Sequence, residues 1–170
     1  MRGLAVAAAF GAWVLAGVPG AAQQVEVDRT LQRVYGTAIM ASDVREARVL
    51  KLVGDAAAND EAALTVLENR LLMLHEVSRA TPVEPGRDAI AARRKAWAAT
   101  WPPGTDLAGL MARVGTSDQG LDGWFRDDLL IAAYLDQRFG AQADAARATR
   151  IGEWITEMRK RAKMKVSGSV

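Results

Sequence analysis

Residues 117–140, SDQGLDGWFRDDLLIAAYLDQRFG, constrain the fold more than any other stretch of this 170-residue chain. Ser117 is able to cap the free backbone N–H groups at a helix start, and Gly140 supplies the left-handed residue on which helices commonly end. Between them Leu121, Trp124, Phe125, Leu129, Ala132, Leu135 and Phe139 recur at spacings of three and four, which places the large apolar groups on one broad face. Asp122, Asp127, Asp128 and Asp136 mostly fall outside that stripe and read as a solvated face. The stretch is expected to be a buried central helix against which the other elements pack.

The remainder of the chain can supply such a core. Half of the residues are hydrophobic and a quarter are charged, which is ordinary globular composition and argues against wholesale disorder. Residues 1–22 belong to a different category. Arg2 gives a positive start, residues 4–18 form an apolar run, and Gly20, Ala21 and Ala22 put small residues at a cleavage position. This is the three-part pattern of a secretory signal, and the run is too short for a good membrane span. The mature chain, 23–170, is expected to be one exported domain without a stable membrane span. Export permits disulfides, but the chain has no Cys, so packing alone must hold the core. Charge is uneven: residues 23–146 carry net −4 and residues 147–170 net +5, so the pI of 9.2 reflects a basic tail.

In chain order, residues 27–40 read as two short strands around Gly36-Thr37, since Thr, Val, Tyr and Ile favour strands. Ser42 is expected to cap a helix over 42–53 with Val44, Ala47, Leu50 and Val53 inward. Asn59 or Asp60 starts a second, to about residue 79, with Leu64, Leu67, Leu71, Leu74 and Val77 inward. Pro85 opens a third helix carrying Ile90 and Trp97, which stops before Trp101-Pro102-Pro103-Gly104. Thr105 caps a short fourth over 106–114, ended by Gly115. After the central helix, an Ala-rich stretch leads to a last helix bearing Ile151, Trp154, Ile155, Met158 and Ala162. Residues 163–166 alternate charged and apolar side chains and suit a strand completing the N-terminal hairpin. The expected fold is mainly α: an orthogonal helical domain of about six helices, with a small β-sheet formed by the N-terminal hairpin and a C-terminal strand.

Motifs for catalysis are absent. His75 is the one imidazole and has no HExxH or Cys partner, so it reads as structural or solvent-facing rather than zinc-binding. The acids of 117–140 lack the alternating spacing and turn glycine of a calcium loop. There is no GxSxG elbow and no Gly-rich loop after a strand to hold phosphate. No cofactor or metal is implied. The basic residues at 159–165 complement the C-terminal pole of a helix dipole, and export argues against nucleic acid as a partner.

The segments VDRTLQRVYGTAIMASDV, ENRLLMLHEV, the PVEP step, LDGWFRDDLLIAAYLDQRFG and EWITEMRKRAKMKV together resemble, in order, the SurA-like N-terminal domain of periplasmic chaperones. That resemblance implies a periplasmic, non-catalytic module that holds unfolded or extended segments of outer-membrane proteins. Relatives often carry a parvulin-type prolyl isomerase domain, which would need on the order of 90 residues between the last two helices, where this chain has about ten. Two further readings stay open: a dedicated structural partner of one envelope protein, and an isomerase relative that has lost its catalytic domain. For a client groove, soft Met side chains and Trp suit repacking around varied segments, although core filling is the simpler role for each. The candidate client-binding residues are Trp97, Trp101, Leu110 and Met111, the last two on a short, mobile arm after the Pro-Pro break.

Overall fold

A computed structural model describes residues 28–54, 57, 59–80, 82–141 and 143–162. β1 (Thr30–Val34) and β2 (Thr37–Met40) pair antiparallel, with Val34 opposite Thr37 and Gln32 opposite Ile39. The turn is Tyr35-Gly36, at φ 47° and 88°, the positive pair that a tight I′ hairpin requires. It lies one residue earlier than the Gly36-Thr37 reading because Thr37 is already paired.

Met40 passes directly into α1 (Ala41–Val49). The Asp43 carboxylate accepts the Met40 N–H at 2.7 Å, so Ser42 is not the cap. Ser42 instead donates its hydroxyl, and its N–H at 3.1 Å, to Asp28, which ties the helix start to the chain before β1. The helix ends short of the expected residue 53, and Lys51 at φ 51° turns the chain away. Asn59 caps α2 (Asp60–Arg79), accepting the Ala62 N–H at 2.8 Å. α3 (Arg87–Ala98) follows the Pro82–Gly86 step. α4 (Leu107–Val114) is capped by Asp106 rather than Thr105, through a 2.8 Å bond from the Gly109 N–H, and stops at left-handed Gly115. Ser117 caps α5 (Asp118–Phe139) as expected, at 3.1 Å from the Gly120 N–H, and α6 (Asp144–Arg161) closes the described chain. The protein is therefore mainly helical, with six helices and a two-stranded antiparallel sheet among the described residues. The expected signal segment 1–22 and strand 163–166 lie outside those residues.

α2, rather than α5, is the hub. It packs against β1, β2, α1, α5 and α6, whereas α5 packs mainly on α2, α3 and α6. A helix enclosed from several sides has no single apolar stripe. Leu64, Leu71 and Leu74 are only half-buried, while Leu72 and two charged residues, Glu68 and Arg70, are inside. Such charges need partners in the interior. Glu68 meets Arg159 of α6 at 2.8 Å, and Arg159 also donates to Asn69 at 2.8 Å.

The stripe expected on α5 shifts for the same reason. Leu121, Phe125 and Phe139 are buried, but Leu129 is half-buried and Ala132 exposed. Leu130 and Ile131 are buried instead, against Val77 of α2, because α5 is covered on more than one side. Gly140 is right-handed at φ −66°. Its need for glycine is steric, since a Cβ there would run into the carbonyl oxygen of Asp136. Nor are the acids of α5 a free solvated face. Asp118 and Asp122 bind Arg94, Asp128 binds Arg70 and Arg93, and Asp136 binds Arg147. Val34 and Ile39 of the hairpin share one buried cluster with Trp154 and Met158 of α6, so both ends of the described chain meet over α2.

Candidate functional site

The four residues singled out from sequence do come together, but largely as interior. Trp97 of α3 and Met111 of α4 are 6% and 7% exposed, and Trp101 and Leu110 are half-buried beside them. They pack with Leu50, Leu121 and Phe125. The Trp97 Nε1–H donates to the Leu50 carbonyl at 2.8 Å, and its ring meets Trp101 edge-on at 6.0 Å and Phe125 at 5.7 Å. The Lys51 ammonium sits 4.6 Å over the Trp101 ring. α4 is thus docked on α1 rather than a mobile arm, and the cluster chiefly fastens α3, α4 and α5 to the end of α1. A hollow of about 460 Å³ beside it is lined by Trp97, Leu107, Met111, Thr116 and Asp118 among others.

A second cleft lies along β2. In a hairpin closed by two turn residues, Val34–Thr37 is a hydrogen-bonded pair, so Arg33–Ala38 is the non-bonded pair that follows. The N–H and C=O of Ala38 therefore point away from β1, and neither has a backbone partner outside the strand ladder among the described residues. Across the hairpin, the equivalent outward N–H of Arg33 is already bonded, at 3.1 Å, to the Gln32 side chain. The edge with both its N–H and C=O free therefore belongs to β2. Tyr35 holds the hairpin tip on α2 by stacking on His75, with ring centroids 3.8 Å apart, which gives the lone imidazole a structural role.

Beside that edge opens a cleft of about 280 Å³. Ile39, Leu67, Leu71, Leu74 and Trp124 supply its apolar wall, and Asp43, Glu46, Arg70 and Asp127 its charged rim. Arg70 is fully engaged: it binds Asp128, donates to the Trp124 carbonyl at 2.7 Å, and lies 3.9 Å over the Trp124 ring. Burial pushes the Asp127 carboxyl above its ordinary value of 3.8, against the pull of Arg70 and Arg126. No protein-family model, curated protein or solved structure matches this chain. The site consequently rests on its geometry.

That geometry offers no reactive constellation. Among the described residues, no group of three or more His, Asp or Glu side chains is placed to hold a metal ion, and no helix is long and apolar enough to cross a membrane. An open strand edge beside an apolar wall suits an extended peptide: its main chain pairs with the edge, and alternate side chains enter the cleft. Sequence reasoning placed Leu67, Leu71, Leu74 and Trp124 on inward faces without assigning them a ligand role. The available signal was the turn: moving it to Tyr35-Gly36 turns Ala38 outward.

Proposed function

We propose that this protein is a non-catalytic peptide-holding module, of the kind found in periplasmic chaperones, that takes extended apolar segments of unfolded exported proteins onto β2. The reading is carried by the unpartnered Ala38 edge directly beside the cleft of Ile39, Leu71 and Trp124. The signal-like pattern of residues 1–22 supports a periplasmic place of action. Each client side chain seated in the cleft is worth about 1.5–3 kcal/mol before the entropy of ordering the client is subtracted. Binding is therefore weak and general, as a holding function requires.

Ala38→Pro tests the reading. Proline removes the outward N–H, yet this N–H is not part of the β1–β2 ladder, so an edge position tolerates the change. The native protein is expected to suppress aggregation of a denatured outer-membrane protein at several-fold excess, and Ala38→Pro to lose most of that protection while keeping its helical circular dichroism. Unchanged protection by a folded Ala38→Pro protein removes strand addition as the mechanism. Capture of one stoichiometric partner, with indifference to unfolded clients, reassigns the cleft to a fixed structural role.

A further inference from the structure

The rim of the β2 cleft is electrically one-sided. Three carboxylates, Asp43, Glu46 and Asp127, line it against one guanidinium, Arg70. Arg70 is already committed to Asp128 and to the Trp124 carbonyl. Asp127 is paired through one oxygen with Arg126, at 3.0 Å, and through the other with Arg70, at 3.7 Å, and Asp43 is held at 2.7 Å by the Met40 N–H. Glu46 is half-buried, and its carboxylate has no ion-pair or hydrogen-bond partner among the described residues. A half-buried carboxylate beside an apolar wall is incompletely solvated, and a mobile cation brought by a ligand would supply what the fold leaves out.

Resting on the strand-addition reading, we infer that the cleft selects extended peptides bearing an apolar side chain and, two residues along, a lysine or arginine. Strand geometry sets that spacing. Side chains two apart share a face and lie roughly 6.5–7 Å from one another, so one enters the apolar wall while the next reaches the rim. The intervening residue faces away and is unconstrained. A client with glutamate at the second position brings a like charge to Glu46 and Asp127, and is disfavoured.

The test uses three acetylated, amidated peptides, TVTKTVT, TVTTTVT and TVTETVT, titrated into the full chain and followed by tryptophan fluorescence. The lysine peptide is expected to bind about tenfold more tightly than the glutamate peptide at low salt, with the neutral one between them. Raising salt to about 0.5 M should collapse most of that gap. Glu46→Gln, a nearly isosteric change, should cut the gap to about threefold. Equal binding of all three peptides overturns the preference while leaving peptide holding intact. No binding of any of them removes both. Binding of the lysine peptide to a Lys163→Glu/Lys165→Glu chain but not to the native one assigns the cleft to the protein's own basic segment, and overturns an external client.

Discussion

Replacing Arg70 with alanine should be among the most damaging single changes to this fold. The guanidinium is nine-tenths buried and joins α2 to α5 in three ways: a bond to Asp128, a 2.7 Å bond to the Trp124 carbonyl, and stacking 3.9 Å over the Trp124 ring. Removing one partner of a buried ion pair costs about 3–5 kcal/mol, because the remaining charge is stranded. Here Asp128 keeps Arg93 at 3.4 Å and Asp127 keeps Arg126 at 3.0 Å, so the charge contribution falls to about 2–3 kcal/mol. Loss of the carbonyl bond and of the stacking adds about 1 kcal/mol. The total, about 3–4 kcal/mol, is a large share of the roughly 5–15 kcal/mol that holds a typical domain. In urea, with a slope of about 2 kcal/mol/M, the midpoint should fall by about 1.5–2 M. Asp60→Asn is the control: its pair with Arg48 is exposed on both sides, and such pairs contribute about 0–1 kcal/mol. If circular dichroism shows Arg70→Ala unfolding no earlier than Asp60→Asn, the buried network contributes nothing and the interior reading of α2 is wrong.

Trp97→Phe should lower stability by about 1–3 kcal/mol, since it leaves the buried Leu50 carbonyl without its indole donor; calorimetry measures the shift. Gly140→Ala should cost about 1–3 kcal/mol by forcing a methyl against the Asp136 carbonyl, even though no left-handed backbone is involved; chemical unfolding detects it. Asp127 titrates above 3.8 in the folded protein because of burial, so the native state holds this proton more tightly than the unfolded chain does. Its contribution favours folding at low pH and is lost as pH rises from 3.8 through the raised value. Asp127→Asn should flatten that part of the stability-versus-pH curve, read as urea midpoints across the acidic range.

Local chemistry made several elements legible in the chain alone. Ser117 marked the start of α5 and Gly115 the end of α4, because a cap needs one side chain or one missing Cβ and no tertiary partner. The hairpin and the beginning of α2 were visible for the same reason: strand formers flank a glycine, and Asn59 precedes acidic residues. The client residues chosen from sequence show the limit. Trp97 and Met111 were recognised as large apolar groups, but whether such a group forms a groove or fills a core depends on what covers it. Trp97 is covered by Leu50 and Phe125, from distant parts of the chain, as well as by nearby Trp101.

Periodicity assumes one buried face, and that assumption decided what went unseen. α2 and α5 are each covered from more than one direction, so Leu72, Leu130 and Ile131 are interior while Ala132 is not. The same enclosure brings Arg70 inside and turns the acids of α5 from a solvated face into clamps on α2, α3 and α6. The chain by itself determined where α2 and α5 begin, where α4 ends and that the protein is mainly helical, because caps, turns and apolar spacing act over a few residues. Only the tertiary structure decided that α2 is the hub and that β2 presents an open edge to an apolar cleft. Those features depend on which distant surfaces meet, and burial is a property of the pair rather than of either residue.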